Sequence, residues 1–329
     1  MIASRRSGLP AATGRGIAAG RPLLQVVACC LSLFWLLAGC GSQPPSEIQW
    51  KSFDGQRAYE RVKQFVGCGP HPSGSPELAC AASYISGQLR KAGLDVEEQT
   101  FTATTPRGPV QFRNIIGKTR RGPGGADNII VLGSHYDTKW MTNSVFVGAN
   151  DGGSSTGVLL EMARVAAAQP NLWFVFFDGE EAMVEYGTND GLWGSKHFVE
   201  ELQRNGQTNR IKAMVLLDMI GDAHLDITLP ADSTSALVQQ VFRAARETGN
   251  RDSFEYRNTS ILDDHVPFLN AGIPAVDLID FEYGSAPGLN DYWHTDKDTL
   301  DKISSHSLTV VGQTTLRLVS ILEAAPSGR

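Results

Sequence analysis

The run Leu172-Trp173-Phe174-Val175-Phe176-Phe177 ends in Asp178-Gly179-Glu180-Glu181, and this junction constrains the fold more than any other stretch. The run is too short for a helix and rich in aromatic and β-branched residues. It therefore reads as a buried strand, central in a sheet. Open α/β sheets place their ligand sites just outside the carboxyl ends of strands. Two adjacent carboxylates at such an end point in different directions, so one can bind a cation while the other handles protons. Taken alone, the pair is equally well a charged turn in water. Its company along the chain is what separates the two readings.

The same pattern recurs. Asn128 to Leu132 reads as a buried strand and leads into His135-Tyr136-Asp137. The loop Gly148-Ala149-Asn150-Asp151-Gly152-Gly153 precedes a predicted helix, Ser155 to Ala168. Ala213 to Leu217 ends at Asp218, and Leu262-Asp263-Asp264-His265 opens a further element. Tyr292-Trp293-His294-Thr295 follows the last predicted strand, Ala275 to Ile279. Helices are expected over Phe53 to Val66, Leu78 to Ala92, Gly194 to Arg204, Thr234 to Thr248 and Ser304 to Ala324. Val96 to Thr104 and Val110 to Lys118 alternate like strands, followed by a glycine-rich turn, Arg120 to Ala126. Strands alternating with helices predict an α/β sheet sandwiched by helices. Strand ends carrying Asp, Glu or His would converge on one rim as mutually repelling, poorly solvated groups. A cation removes that repulsion, and two histidines with several carboxylates suit Zn2+.

The first 39 residues read as an address. Arg5, Arg6, Arg15 and Arg21 precede an apolar stretch, Leu23 to Leu37, closed by Leu37-Ala38-Gly39-Cys40. A positive segment, a short apolar segment and small residues before a cleavage point make a secretory signal. The apolar stretch, interrupted by Gln25, is short for a membrane span. Small residues directly before a cysteine resemble a bacterial lipobox, with Cys40 lipidated as the mature N-terminus. Residues 40–52 then form the lipidated tether and 53–329 a single domain, burying about three quarters of its unfolded surface. Ser42 fits outer-membrane sorting, which places the protein in a bacterial cell envelope, facing the periplasm and touching the membrane through its lipid anchor only. Residues 1–39 carry four arginines and no other charge, so their removal takes the net charge from −6 to −10. A chain that acidic is a poor nucleic-acid binder, and that class is excluded. Cys29 and Cys30 leave with the signal, so Cys68 and Cys80 remain and can pair in an oxidising envelope.

His135-Tyr136-Asp137, the Asp151 loop, Glu180-Glu181, Asp218 and His294 occur in the order of the zinc aminopeptidase superfamily, which also contains the glutaminyl cyclases. The resemblance runs from about Gly69 to the C-terminus. It implies a three-layer α/β sandwich, with a mixed, mostly parallel central sheet flanked by helices. Carried over by position, Asp151, Glu181 and His294 hold one zinc with an open position, and Glu180 is the general acid/base. In the aminopeptidases His135 and Asp218 would hold a second zinc, bridged by Asp151.

The surroundings distinguish the branches. In the aminopeptidases the paired glutamates run almost directly into a Gly-Leu-x-Gly-Ser segment; here Ala182 to Asp190 intervenes before Gly191-Leu192-Trp193-Gly194-Ser195. That longer segment resembles the glutaminyl cyclases. So do His135-Tyr136-Asp137-Thr138-Lys139, Leu216-Leu217-Asp218-Met219-Ile220-Gly221, Asp263-Asp264-His265-Val266-Pro267-Phe268, and Trp293 before His294. This branch implies one zinc ion and peptide or protein N-termini as substrates. The α-amine of an N-terminal glutamine attacks its own side-chain amide, and Glu180 passes the amine proton to departing ammonia. Asp218 and Asp263 form a hydrogen-bonded network that tunes Glu180. Trp293, Tyr186, Leu262 and Lys139 belong to the substrate pocket. Leu262 stands where the animal cyclases carry Gln, and Tyr186 where they carry Trp. Two alternatives stay open: a metallo-aminopeptidase with one or two zinc ions, in which Glu180 deprotonates a water, and a non-catalytic envelope binding lipoprotein. His71 is expected in a rigid loop that helps cover the site, and His197 on a helix surface.

Overall fold

Among the described residues, eight strands share one sheet, with seven helices around it. The structure, a computed structural model, describes residues 48–121, 127–187 and 189–325. The signal segment, Cys40, the 43–46 tether and most of the 120–126 turn lie outside the described residues. In chain order the elements are α1 (Gly55–Val66), α2 (Leu78–Lys91), β1 (Asp95–Thr105), β2 (Gly108–Lys118), β3 (Ile129–His135), α3 (Gly153–Val165), β4 (Leu172–Phe177), α4 (Trp193–Arg204), β5 (Ile211–Asp218), β6 (Ile227–Leu229), α5 (Ser235–Thr248), β7 (Phe254–Tyr256), α6 (His265–Asn270), β8 (Ala275–Ile279) and α7 (Ser305–Ala324).

The sheet runs β1-β2-β4-β3-β5-β8-β6-β7. Its centre, β4-β3-β5-β8, is parallel. Each of these strands is joined to the next by a crossover carrying at least one helix, the connection that parallel pairing requires. The long β1–β2 hairpin adds antiparallel pairing at one side, and β6 runs antiparallel to β8 at the other. The expected mixed, mostly parallel sheet flanked by helices is the observed architecture.

Period-two alternation along the buried strands sorts their side chains into two layers. Ile130, Leu132, Phe174, Phe176, Val215 and Leu217 share a core with apolar residues of α1, α2, α3, α5 and α7. Their strand neighbours Ile129, Val131, Val175, Phe177, Met214 and Leu216 face α4 and α6 instead. With both faces covered, the central strands have no polar side, which is why their sequences read as unbroken apolar runs. β6 and β7 are too short to show a periodicity and were not foreseen.

Cys68, just past α1, is disulfide-bonded to Cys80 on α2, with a Cα–Cα distance of 5.8 Å and a sequence separation of 12. Closing a loop of that length restricts the unfolded chain. Replacing both cysteines by serine is expected to lower stability by about 3 kcal/mol, seen as a lower urea midpoint. An unmoved midpoint would mean that the loop is already ordered in the unfolded ensemble.

Candidate active site

Parallel pairing brings the carboxyl ends of the central strands to one rim. His135 at the end of β3 pairs with Phe177 at the end of β4, and Asp218 at the end of β5 pairs with Ile279 at the end of β8. Glu180 and Glu181 follow β4 directly. Asp151 sits at the entry to α3, and the chain leaving β8 returns to the rim at His294. Residues far apart in sequence therefore meet because the strands that carry them lie side by side in one direction.

Two clusters of ligand-type atoms result: Asp151, Glu181 and His294, and His135, Asp151 and Asp218. In the first, His294 Nε2 lies 3.0 Å from Glu181 Oε1 and 3.4 Å from Asp151 Oδ2. Both oxygens are buried and neither receives a hydrogen bond of acceptable geometry. Buried carboxylate oxygens without donors are costly; one nitrogen and two such oxygens, converging but unbonded, fit a cation. In the second cluster His135 Nε2 hydrogen-bonds Asp218 Oδ1 at 3.2 Å and lies 3.1 Å from Asp151 Oδ1. Burial opposes charge on His135, yet Asp218, Asp137 and Asp151 hold its pKa well above the ordinary histidine value.

The adjacent glutamates are driven apart. Burial lifts the Glu180 carboxyl well above the usual range; His135 works against this, and the charges of Glu181, Asp263 and Asp264 add to it. Burial acts on Glu181 in the same direction, but His294 and Lys139 overcome it and pull the pKa down to about 2. One carboxyl suited to carrying a proton thus stands beside one held as an anion. Asp263 is pushed up to about 7 by burial and by the charge of Asp218.

The supports of the rim are specific. Asp298 accepts the backbone N–H groups of Asn150 and Asp151 at 2.7 and 3.1 Å, and the Tyr283 hydroxyl at 2.7 Å. Asp137 accepts those of Glu180 and Glu181 at 3.2 and 3.3 Å. Gly152 has φ +77°, and a Cβ there would stand 2.9 Å from the His135 ring, so only glycine fits between the two clusters. His294 itself is held at φ 53°, a strained backbone for a bulky residue and of a kind that concentrates at functional sites.

Beside the clusters opens a cavity of about 320 Å³, bounded by Glu180, Tyr186, Leu262, Phe281, Trp293 and His294 among others. Trp293 stacks on the His294 ring at 3.9 Å and meets Phe281 at 5.2 Å. The Tyr186 hydroxyl lies 2.8 Å from Glu180 Oε2 and 2.9 Å from Glu181 Oε2.

Residues 114–319 match the family model described as Peptidase family M28. The chain belongs to that family. Within M28 it falls in the glutaminyl cyclase branch of the zinc aminopeptidase superfamily. A glutaminyl-peptide cyclotransferase of Drosophila melanogaster is 30% identical over 263 residues, covering 71% of this chain and 72% of the relative. The crystal structure of an Acidobacteriales bacterium glutaminyl cyclase superposes with a TM-score of 0.77 at 37% identity, covering 85% of this chain and 97% of that one. A Zn-dependent exopeptidase from Parabacteroides distasonis gives a TM-score of 0.72 at 25% identity, covering 83% and 99%. This M28 chain is an enzyme with a metal site on its strand-end rim.

The M28 rim gathers Asp151, Glu180, Glu181, Asp218, Asp263, His135 and His294, all expected there from sequence; the expected hydrogen-bonded network is not formed among the described residues, since Asp218 bonds His135 and Asp263 reaches Glu180 through its charge alone. Trp293, Tyr186 and Leu262 bound the cavity. Lys139 does not line it. Its Nζ binds Glu181 Oε2 at 3.1 Å, because a buried carboxylate with a free oxygen attracts the nearest cation. His71 is fully buried, and its N–H donates to Thr138 Oγ1 at 2.9 Å, next to Asp137. His197 stacks on Phe101 at 3.9 Å, away from the rim. Asp298 and the bracing role of Asp137 were missed, since an aspartate that only accepts backbone N–H groups leaves no spacing signal. Asp190 was missed as well. It accepts the N–H groups of Met183, Val184, Glu185 and Gly191, and so folds the inserted segment onto itself.

Proposed function

We propose that this chain is a zinc-dependent glutaminyl-peptide cyclotransferase, converting the N-terminal glutamine of peptides and proteins to pyroglutamate with loss of ammonia. The contrast between the two clusters carries the reading. Around His294 two buried carboxylate oxygens lack donors, whereas His135 already bonds Asp218. One cluster open to a cation and one closed by the protein's own imidazole favour a single zinc. The names of the fly relative and the Acidobacteriales neighbour support the same branch.

Asp151, Glu181 and His294 would hold the ion, a donor set that suits zinc. Bound there, zinc supplies Lewis acidity toward the side-chain amide carbonyl of the substrate. The protein's residues do the rest. The cavity walled by Trp293 and Phe281 orients the glutamine side chain so that its own α-amine faces the amide carbon. A bond forms between the amine nitrogen and that carbon, and the bond from the carbon to the amide nitrogen breaks. Glu180 takes one proton from the attacking amine and delivers it to the departing nitrogen, which leaves as ammonia. Asp263 and Asp264, through their charges, keep Glu180 ready to accept that proton. No water enters the balance.

A second reading, a metallo-aminopeptidase, is favoured by one observation: His135, Asp151 and Asp218 also lie within ligand distance of one another, and a second ion there would give two. Glu180 would then deprotonate a water for peptide hydrolysis. Incubating the purified protein with zinc and a glutamine-initiated dipeptide amide separates the readings by product mass. Loss of ammonia from an otherwise intact dipeptide supports the cyclotransferase; release of free glutamine overturns it. The envelope address belongs to the same proposal, with Cys40 as the lipidated N-terminus, and the mass of the mature N-terminal peptide checks it.

A further inference from the structure

Tyr186 stands between two carboxylates, 2.8 Å from Glu180 Oε2 and 2.9 Å from Glu181 Oε2. A phenol has one hydrogen to donate. Glu181 Oε2 has a second donor, Lys139 Nζ, at 3.1 Å. Among the described residues the Glu180 side chain has no donor other than Tyr186. Counting donors therefore gives the phenol hydrogen to Glu180 and leaves Glu181 to Lys139.

The ring is as firmly placed as the hydroxyl. Lys139 Nζ lies 4.7 Å from its centroid. Gly191, at φ +81°, presses against its other atoms so closely that a Cβ would stand 2.9 Å away. The segment carrying Tyr186 is tied by the four N–H groups that Asp190 accepts. The hydroxyl is thus delivered by a pre-ordered turn.

We infer that Tyr186 is a positioning residue for the reaction: its hydroxyl fixes the Glu180 carboxylate at Oε2 and leaves Oε1 to carry the substrate proton. The inference rests on the reading of Glu180 as proton carrier. An aromatic wall needs only the ring; the phenol oxygen adds a hydrogen bond to a charged group, and proton transfer is sensitive to small displacements of the carrier.

Tyr186→Phe keeps the ring and removes the oxygen. In it kcat is expected to fall about 10–100-fold, with KM changed by less than about threefold. Zinc affinity, measured on the apo-protein by competition with a chromophoric chelator, stays unchanged because Lys139 still holds Glu181. Tyr186→Leu, which also loses the wall, raises KM as well. Added to Glu180→Gln, Tyr186→Phe changes the residual rate by less than about twofold, since the proton carrier that the hydroxyl positions is gone. Wild-type kcat in Tyr186→Phe would overturn the inference and leave Tyr186 a wall alone. A loss that adds in full to that of Glu180→Gln, or that follows lost zinc, overturns it too. If the wild type releases glutamine instead of ammonia, the cyclotransferase reading fails, and the same kcat and KM split is then read on hydrolysis, where Glu180 is again the carrier. A wild type that turns over neither way overturns the role of Glu180 and this inference with it.

Discussion

Glu180→Gln is expected to lower kcat by about 10²–10⁴-fold while the zinc content of the protein and its KM stay near wild type. The substitution keeps shape and hydrogen-bonding reach but removes the ability to accept a proton. Glu181 keeps its partners His294 and Lys139 in this variant, so the metal-side carboxylate is undisturbed. A charge is lost from a rim where Glu181, Asp263 and Asp264 all oppose ionisation of Glu180, so folding does not suffer. The assay is ammonia release at saturating substrate, beside zinc by atomic absorption on the same sample. A variant that retains most of its kcat would show that the proton travels by another group. One that loses zinc as well would show that the two glutamates cannot be separated into two roles.

The second large effect concerns stability. Chelating the metal from the wild type is expected to lower its melting temperature by roughly 10 °C, taking free zinc at a thousandfold over its dissociation constant. The cause is the rim itself: Asp151 and Glu181 are buried, mutually repelling, and each keeps an oxygen without a donor. Burial and the Glu181 charge raise the Asp151 pKa, although His135 and His294 act against them. A carboxyl whose folded pKa lies above its unfolded value destabilises the fold at neutral pH, where the unfolded chain ionises it freely. Asp151→Asn removes that charge along with a ligand. The variant should bind zinc far more weakly, yet its apo form should melt above the apo wild type, by an amount corresponding to about 1–3 kcal/mol. Calorimetry with and without chelator orders the three states: wild type with zinc, then Asp151→Asn, then apo wild type. Equal melting temperatures for the wild type with and without chelator would mean that no cation sits among these carboxylates.

Much of this rim was legible because polarity changes abruptly where buried strands end. Leu172 to Phe177 and Ala213 to Leu217 are apolar throughout, so an Asp or Glu at their ends stands out. The spaced order of His135, Asp151, Glu180-Glu181, Asp218 and His294 did the rest. What stayed hidden lacks such contrast. β6 and β7 are three residues each, too short for any period. Lys139 was placed on the pocket wall because charge in sequence says nothing of which carboxylate will claim it. Asp298 works by accepting two backbone N–H groups, an arrangement any aspartate near a helix entry could adopt. Tyr186 was read as a ring, since its oxygen has meaning only once Glu180 and Glu181 are both within reach.

The sheet order also sets when, in the life of a molecule, the metal can arrive. Asp151, Glu181 and His294 hang from different segments, and the last of them follows the final strand of the sheet. On the proposed ligand set, an emerging chain would hold one ligand, then two, and neither set would grip an ion. Only after β8 has docked beside β5 does the third close the ring. With these three as the ligands, metallation would come after folding, and a truncated or stalled chain would carry no metal. In a population of such molecules, bound metal would then count the finished ones.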